Sequence, residues 1–176
     1  MQSILQSRGF YCKPKDKNIL TQLIKNKYAN QRKQIPDDAI IEIHHEFYAP
    51  IKSTHLTYKK NKPNQMILQI HGQFFNQENL GIISTNESSV IGLLNKTVNQ
   101  HFPDVKIEDY ESQNQSEKDA NSLYLSTVIV QTKKRSYTGK AIEKNPNISV
   151  IKAYIHAINY AYINCHFRTN ELTDQH

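Results

Sequence analysis

Ile148, Ile151, Ile155, Ile158 and Tyr162 recur at steps of three and four. That spacing places them on one face of an α-helix. Val150, Tyr154, Ala157 and Ala161 widen the stripe, while Lys152, His156 and Asn159 fall outside it. So wide an apolar face predicts a helix pressed on a sheet, with a second subunit as a further surface it could meet. Before it, residues 136–145 read as a strand end followed by a short loop.

Residues 1–50 also carry helical spacing. Ile4 and Leu5 belong to a short segment that stops at Gly9, a residue suited to ending a helix. Lys13-Pro14-Lys15-Asp16 breaks the chain, and Asp16 can cap a helix bearing Ile19, Leu20, Leu23, Ile24, Lys27 and Tyr28 on one side. Pro36-Asp37-Asp38 opens another helix, with Ile40, Ile41, Ile43 and Phe47 as its apolar set, and Pro50 closes it. The expectation is a small helical subdomain, too thin to build a large core alone.

From His55 the period changes to two. Residues 66–71 read as a strand between Pro63-Asn64 and Gly72, and residues 80–85 as a second or third strand. Ser88 or Ser89 can cap a helix running to Gln100, with Val90, Ile91, Leu94 and Val98 inward. Phe102-Pro103 ends it. The same order then returns: a strand over 105–112, a polar connection over 113–121, a strand over 123–132, a turn at 133–136, a strand over 137–142, and the long helix. This duplication predicts an α+β fold of two strands-then-helix repeats, about 55–103 and 104–165, with antiparallel sheet and helices on one face. The division expected is 1–50 as helical linker and 51–176 as a second domain.

Composition narrows the chemistry. A chain of 176 residues can bury a real core without disulfides. The net charge is +6, yet the densest basic run, Lys133-Lys134-Arg135, falls at an expected hairpin turn, and no nucleic-acid motif accompanies it. Nucleic acid is therefore not an expected partner. Cys12 and Cys165 have no CxxC spacing, so no redox or metal motif follows. His44-His45 is not an H-x-H pair, and adjacent helical residues point in different directions. No apolar run approaches the roughly 20 residues of a spanning helix, and no signal-peptide pattern opens the chain, so a cytoplasmic protein without a membrane partner is the expectation. No nucleophile–base pair, supported carboxylate pair or metal cluster is visible, so neither catalysis by this chain alone nor a cofactor is expected.

Several ordered stretches carry a resemblance. Lys152-Ala153-Tyr154-Ile155-His156-Ala157-Ile158-Asn159 resembles an A-S-x-K-A-Y-x-x-A-L-N helix. Tyr137-Thr138-Gly139-Lys140-Ala141 resembles an aromatic-x-G-x-G strand end, with Ala141 at the second glycine. Ile107-Glu108-Asp109-Tyr110 followed by Lys118-Asp119-Ala120 resembles L-x-D-Y…G-x-D-A. Ser7-Arg8-Gly9-Phe10, Asn30-Gln31-Arg32-Lys33 and residues 35–40 match the linker words that precede them. Together these resemble the linker and C-terminal regulatory domain of the 2-isopropylmalate synthase and citramalate synthase family, over essentially the whole chain. That family's chemistry resides in a TIM barrel of roughly 250 residues, with R-D-G and H-x-H motifs that do not occur here.

The resemblance implies a regulatory homodimer that binds leucine, or isoleucine in the citramalate branch, with a separate barrel-bearing synthase as a partner. Its effector residues fall here on Glu87, Ser88, Ser89, Ile91, Ile107, Tyr110, Asp119, Ala120 and Ser122. The family's G-x-G-P-V-D-A segment lands on residues 87–93, where Glu87, Ser89 and Val90 replace both glycines and the proline. Ile91 and Ile107 also fit as ordinary core, Ser88 and Ser89 as helix caps, and Asp119-Ala120 as a hairpin approach. The two alternatives are thus an effector-binding regulatory domain and an interaction module that has kept the fold without the pocket.

Overall fold

A computed structural model describes residues 1–30, 34–58, 66–72, 75–83, 90–115 and 122–168. Its elements are α1 (Gln2–Ser7), a 3-10 turn (Pro14–Asp16), α2 (Lys17–Lys27), α3 (Asp37–Tyr48), β1 (Ile51–Tyr58), β2 (Met66–Gly72), β3 (Phe75–Ile83), α4 (Val90–Asn99), β4 (Lys106–Asn114), β5 (Tyr124–Gln131), β6 (Ser136–Glu143) and α5 (Pro146–His166). The fold is α+β, with two three-stranded antiparallel sheets in the orders β1-β2-β3 and β4-β5-β6. Each sheet is followed by its helix, so the duplicated order read from the sequence is present. A first strand, β1, stands before the earliest strand expected.

The chain divides into two compact units: Met1–Ala49 with the chain from Tyr162 onward, and Pro50–Ala161. The expected division at residue 50 did not include this return of the C-terminal end. It follows from burial of Ile163 and Phe167 among Leu5, Phe10, Leu20, Ile24, Ile40, Ile43 and Tyr48.

In the helical unit, α1 ends as its glycine dictates. Gly9 adopts φ 76. Its N–H donates to Gln6 O at 3.0 Å, and the Phe10 N–H to Leu5 O at 2.9 Å. This pair of bonds is a Schellman stop, and it needs the left-handed conformation that glycine adopts without strain. Asp16 precedes α2 but makes no side-chain cap. Its carboxylate instead accepts the Tyr48 hydroxyl at 2.9 Å. Leu20 and Ile24 of α2 are buried, while Ile19 and Leu23, expected on the same inward stripe, are 53% and 42% exposed.

In the larger unit the two repeats share one core. Ile51 and Ile70 join Val90, Ile91, Leu94 and Val98 of α4, Val128 and Val130 of β5, and Ile151, Tyr154 and Ile158 of α5. Within α5, Lys152, His156 and Tyr160 form the exposed line. Gly139 lets α5 approach the sheet, since a Cβ there would lie 2.0 Å from Ala153 O and 2.4 Å from Ala157 N. Gly72 serves β1 in the same way, with Pro50 O 1.8 Å from the position of a Cβ. The Asn159 side chain accepts the Ile51 N–H at 3.0 Å and donates to Ile51 O at 2.9 Å, as a neighbouring strand would.

Candidate functional site

The β4–β5 ladder decides which candidate residues share a face. Ile107 pairs with Val130, Asp109 with Ile129 and Tyr110 with Val128, with a register shift between Ile107 and Asp109. Glu108 is therefore an extra residue in β4. Without it, Ile107 and Tyr110 would lie on opposite faces, because side chains alternate along a strand. With it, both stand on the face of Val128 and Val130, which are fully buried.

That inner face is unevenly covered. α5 lies over β5 and β6: the Ser149 hydroxyl donates to Tyr124 O at 2.7 Å and lies 2.9 Å from Ala141 O. Ile107 is half-buried and packs against the core. Tyr110, farther along β4, is 48% exposed. Next on the same face, Ser112 is exposed and takes a 2.9 Å bond from the buried Ser126 hydroxyl. The β4 margin thus offers an aromatic face, a phenol and a serine hydroxyl beside an aliphatic wall. On the outer side, Glu108 accepts the Ser136 hydroxyl at 2.6 Å, and Asp109 accepts the Tyr110 N–H at 2.8 Å.

Among the remaining candidates, Ile91 sits in the first turn of α4 as a core residue, 4% exposed. Ser122 is half-buried ahead of β5. Glu87, Ser88, Ser89, Asp119 and Ala120 lie outside the described residues. The structure therefore brings Ile107 and Tyr110 to one face, and places Ile91 in the core that this face covers.

A second polar concentration lies in the helical unit, around the His44-His45 pair. Tyr48 is buried at the end of α3, where its hydroxyl accepts the Lys13 N–H at 3.0 Å and lies 3.5 Å from Cys12 Sγ. Burial first, then the bond to Cys12, pushes this phenol well above its usual pKa. His44 is buried beside Phe10 and Tyr48, and its Nε2 donates to Tyr11 O at 2.9 Å. Burial lowers its pKa, and the Tyr11 bond opposes that shift. The neighbouring His45 is pushed down to about 4, by burial first and then by His44 and Arg168. Among the described residues no group of three His, Cys, Asp or Glu side chains could hold a metal ion, and no helix is long and apolar enough to cross a membrane. Polar letters inside an apolar period were the available signal for His44 and Tyr48 in α3; Asn159, which its spacing sets outside the α5 stripe, is half-buried against the Ile51 backbone instead.

No protein-family model matches the chain, and a search of curated proteins returned no significant match.

Proposed function

We propose that this chain is the regulatory part of a 2-isopropylmalate synthase-like protein. It pairs as a homodimer in the cytoplasm and binds leucine for feedback inhibition of branched-chain amino-acid biosynthesis, without catalysis of its own. Two things support the reading: the ordered motifs along the sequence, and the duplicated strands-then-helix units built on a common core. The observation that carries it is Tyr110, which stands on the helix-facing side of its sheet and is nevertheless half-exposed next to Ile107. An apolar wall with an open phenol suits a branched side chain joined to a polar head. Inhibition then requires that leucine bind one conformational state better than the other, so that occupancy shifts the population seen by a partner synthase.

The second reading, an interaction module without a pocket, is favoured by one position. Val90 stands where the resembled segment has proline, and it is buried in the core. Calorimetric titration with leucine, isoleucine and valine, with solution mass recorded alongside, separates the two. Saturable leucine binding to a dimer is expected, weakened about tenfold or more by Tyr110→Ala. Selective isoleucine binding would move the chain to the citramalate branch. A dimer that takes none of the three would establish the interaction module instead.

A further inference from the structure

The helical unit exposes apolar surface where helices usually bury it. Ile19 and Leu23 lie one turn apart on α2 and are 53% and 42% exposed. Leu23 borders a groove of about 480 Å³ between α2 and α3, lined also by Asn26, Lys27, Ile43, Glu46 and Phe47. Each wall brings one charge to the groove, Lys27 on α2 and Glu46 on α3. The helices as wholes differ in the same sense: α2 carries Lys17, Lys25 and Lys27 and no acidic residue, and α3 carries Asp37, Asp38, Glu42 and Glu46 and no Lys or Arg.

We infer that this face is a self-association surface that takes a second copy of the chain about a two-fold axis running along the groove. The charges select both occupant and axis. An axis across the groove would set α2 against α2 and α3 against α3, so that Lys27 of one copy could not meet Glu46 of the other. An axis along it sets each α2 over the partner copy's α3, so that Lys27 meets Glu46 of that copy and the Leu23 edge meets the Phe47 edge. Within one chain Lys27 and Glu46 already lie 3.3 Å apart on opposite walls, so both reach the seam at the same level. The face is small. Two helices of 11 and 12 residues offer roughly 300–400 Å² per copy, against about 800 Å² in a stable interface. The contact is therefore a weak one, added to whatever pairing residues 51–161 provide.

Sedimentation equilibrium of the full chain, from about 10 µM to about 1 mM, tests this. A concentration-dependent association step is expected, and Lys27→Glu or Glu46→Lys should each weaken it about tenfold or more. An equimolar mixture of the two variants should restore it, because each Glu then faces a Lys. Leu23→Asn should weaken the step without altering the charge. The exposed Lys27–Glu46 pair contributes little to folding, and circular dichroism should show both charge variants folded. The inference fails if the wild type shows no such step, if reversal leaves it unchanged, or if the mixture does not restore it. Leucine binding enters none of these outcomes, so the regulatory reading stands or falls separately.

Discussion

The two units of this chain hold their cores by different means. The core of residues 50–161 is mostly aliphatic, built from Ile, Val, Leu and Ala side chains with Tyr137 and Tyr154 among them, and its buried polar groups among the described residues include the hydroxyls of Ser126, Thr132 and Ser149. The helical unit instead gathers Phe10, Tyr48 and Phe167 around a buried histidine, and Tyr48 stacks on Phe167 with centroids 4.0 Å apart. Aliphatic packing depends on volume and backbone approach, and is indifferent to pH. A core that keeps imidazoles neutral depends on pH as well as on volume. The two units should therefore fail under different perturbations, and amide hydrogen exchange resolved by unit can tell them apart.

The largest effect belongs to Gly139→Ala. Its Cβ would meet the backbone of α5 at Ala153 and Ala157, which cannot rotate away. A loss of about 3 kcal/mol is expected, seen first in the larger unit. Unchanged stability would mean that α5 stands off the sheet. Asn159→Ala comes next, at about 2 kcal/mol, because it leaves the N–H and C=O of a buried Ile51 unpaired. α4 supplies an internal control. Val90-Ile91 with Val98-Asn99 stands at the same spacing as Val150-Ile151 with Ile158-Asn159. Yet Asn99 Oδ1 is buried with no hydrogen-bond partner among the described residues. Asn99→Ala should cost well under the Asn159 figure, about 0.5 kcal/mol or less. Equal costs would show that the two asparagines do the same work.

Acid should single out the helical unit. Unfolded, His45 takes a proton near pH 6.5; folded, it resists until about 4. The stability it contributes is complete above pH 6.5 and drains as pH falls from 6.5 to 4. His44 acts in the same direction. Allowing for partial exposure, about 2 kcal/mol is at stake for His45. Exchange protection in residues 1–49 should fall over that window while β5 and α5 residues up to Ala161 hold. His45→Gln should remove most of the dependence. Parallel loss in both units would end the contrast.

Periodicity made much of this architecture legible. Steps of three and four placed α5 and α4, and apolar, β-branched runs bounded by turn residues placed β2, β5 and β6. Periodicity does not say which half of a wide stripe is covered. Ile19 and Leu20 are neighbours in one apolar pattern, yet only Leu20 is buried. Asp16 has the right letter for a cap, but a phenol 32 residues on takes its carboxylate. Tyr110 and Ile107 were legible as candidates, but their common face depends on the bulge at Glu108, which strand alternation alone does not reveal. The partners of Asn159 and Tyr48 are remote in sequence, so no local pattern could report them.

The finest test compares two buried phenols. The Tyr48 hydroxyl accepts the Lys13 N–H and donates to Asp16, at 3.0 and 2.9 Å. The Tyr154 hydroxyl makes a single, longer bond to Asn95 Oδ1, at 3.3 Å. Burial raises both phenol pKa values, so each stays protonated and able to donate at neutral pH. Tyr48→Phe removes the bonds to Lys13 and Asp16 and the longer one to Cys12, but none of these three residues is buried and water can replace the hydroxyl. About 1 kcal/mol should be lost, confined to the helical unit. Tyr154→Phe removes one weak bond inside the aliphatic core and should cost about 0.5 kcal/mol. Thermal melts of the two variants measure the difference. If Tyr154→Phe proved the costlier, the larger unit would depend on a buried polar contact more than the helical unit does, and the distinction between an aliphatic core and a polar aromatic one would lose its force.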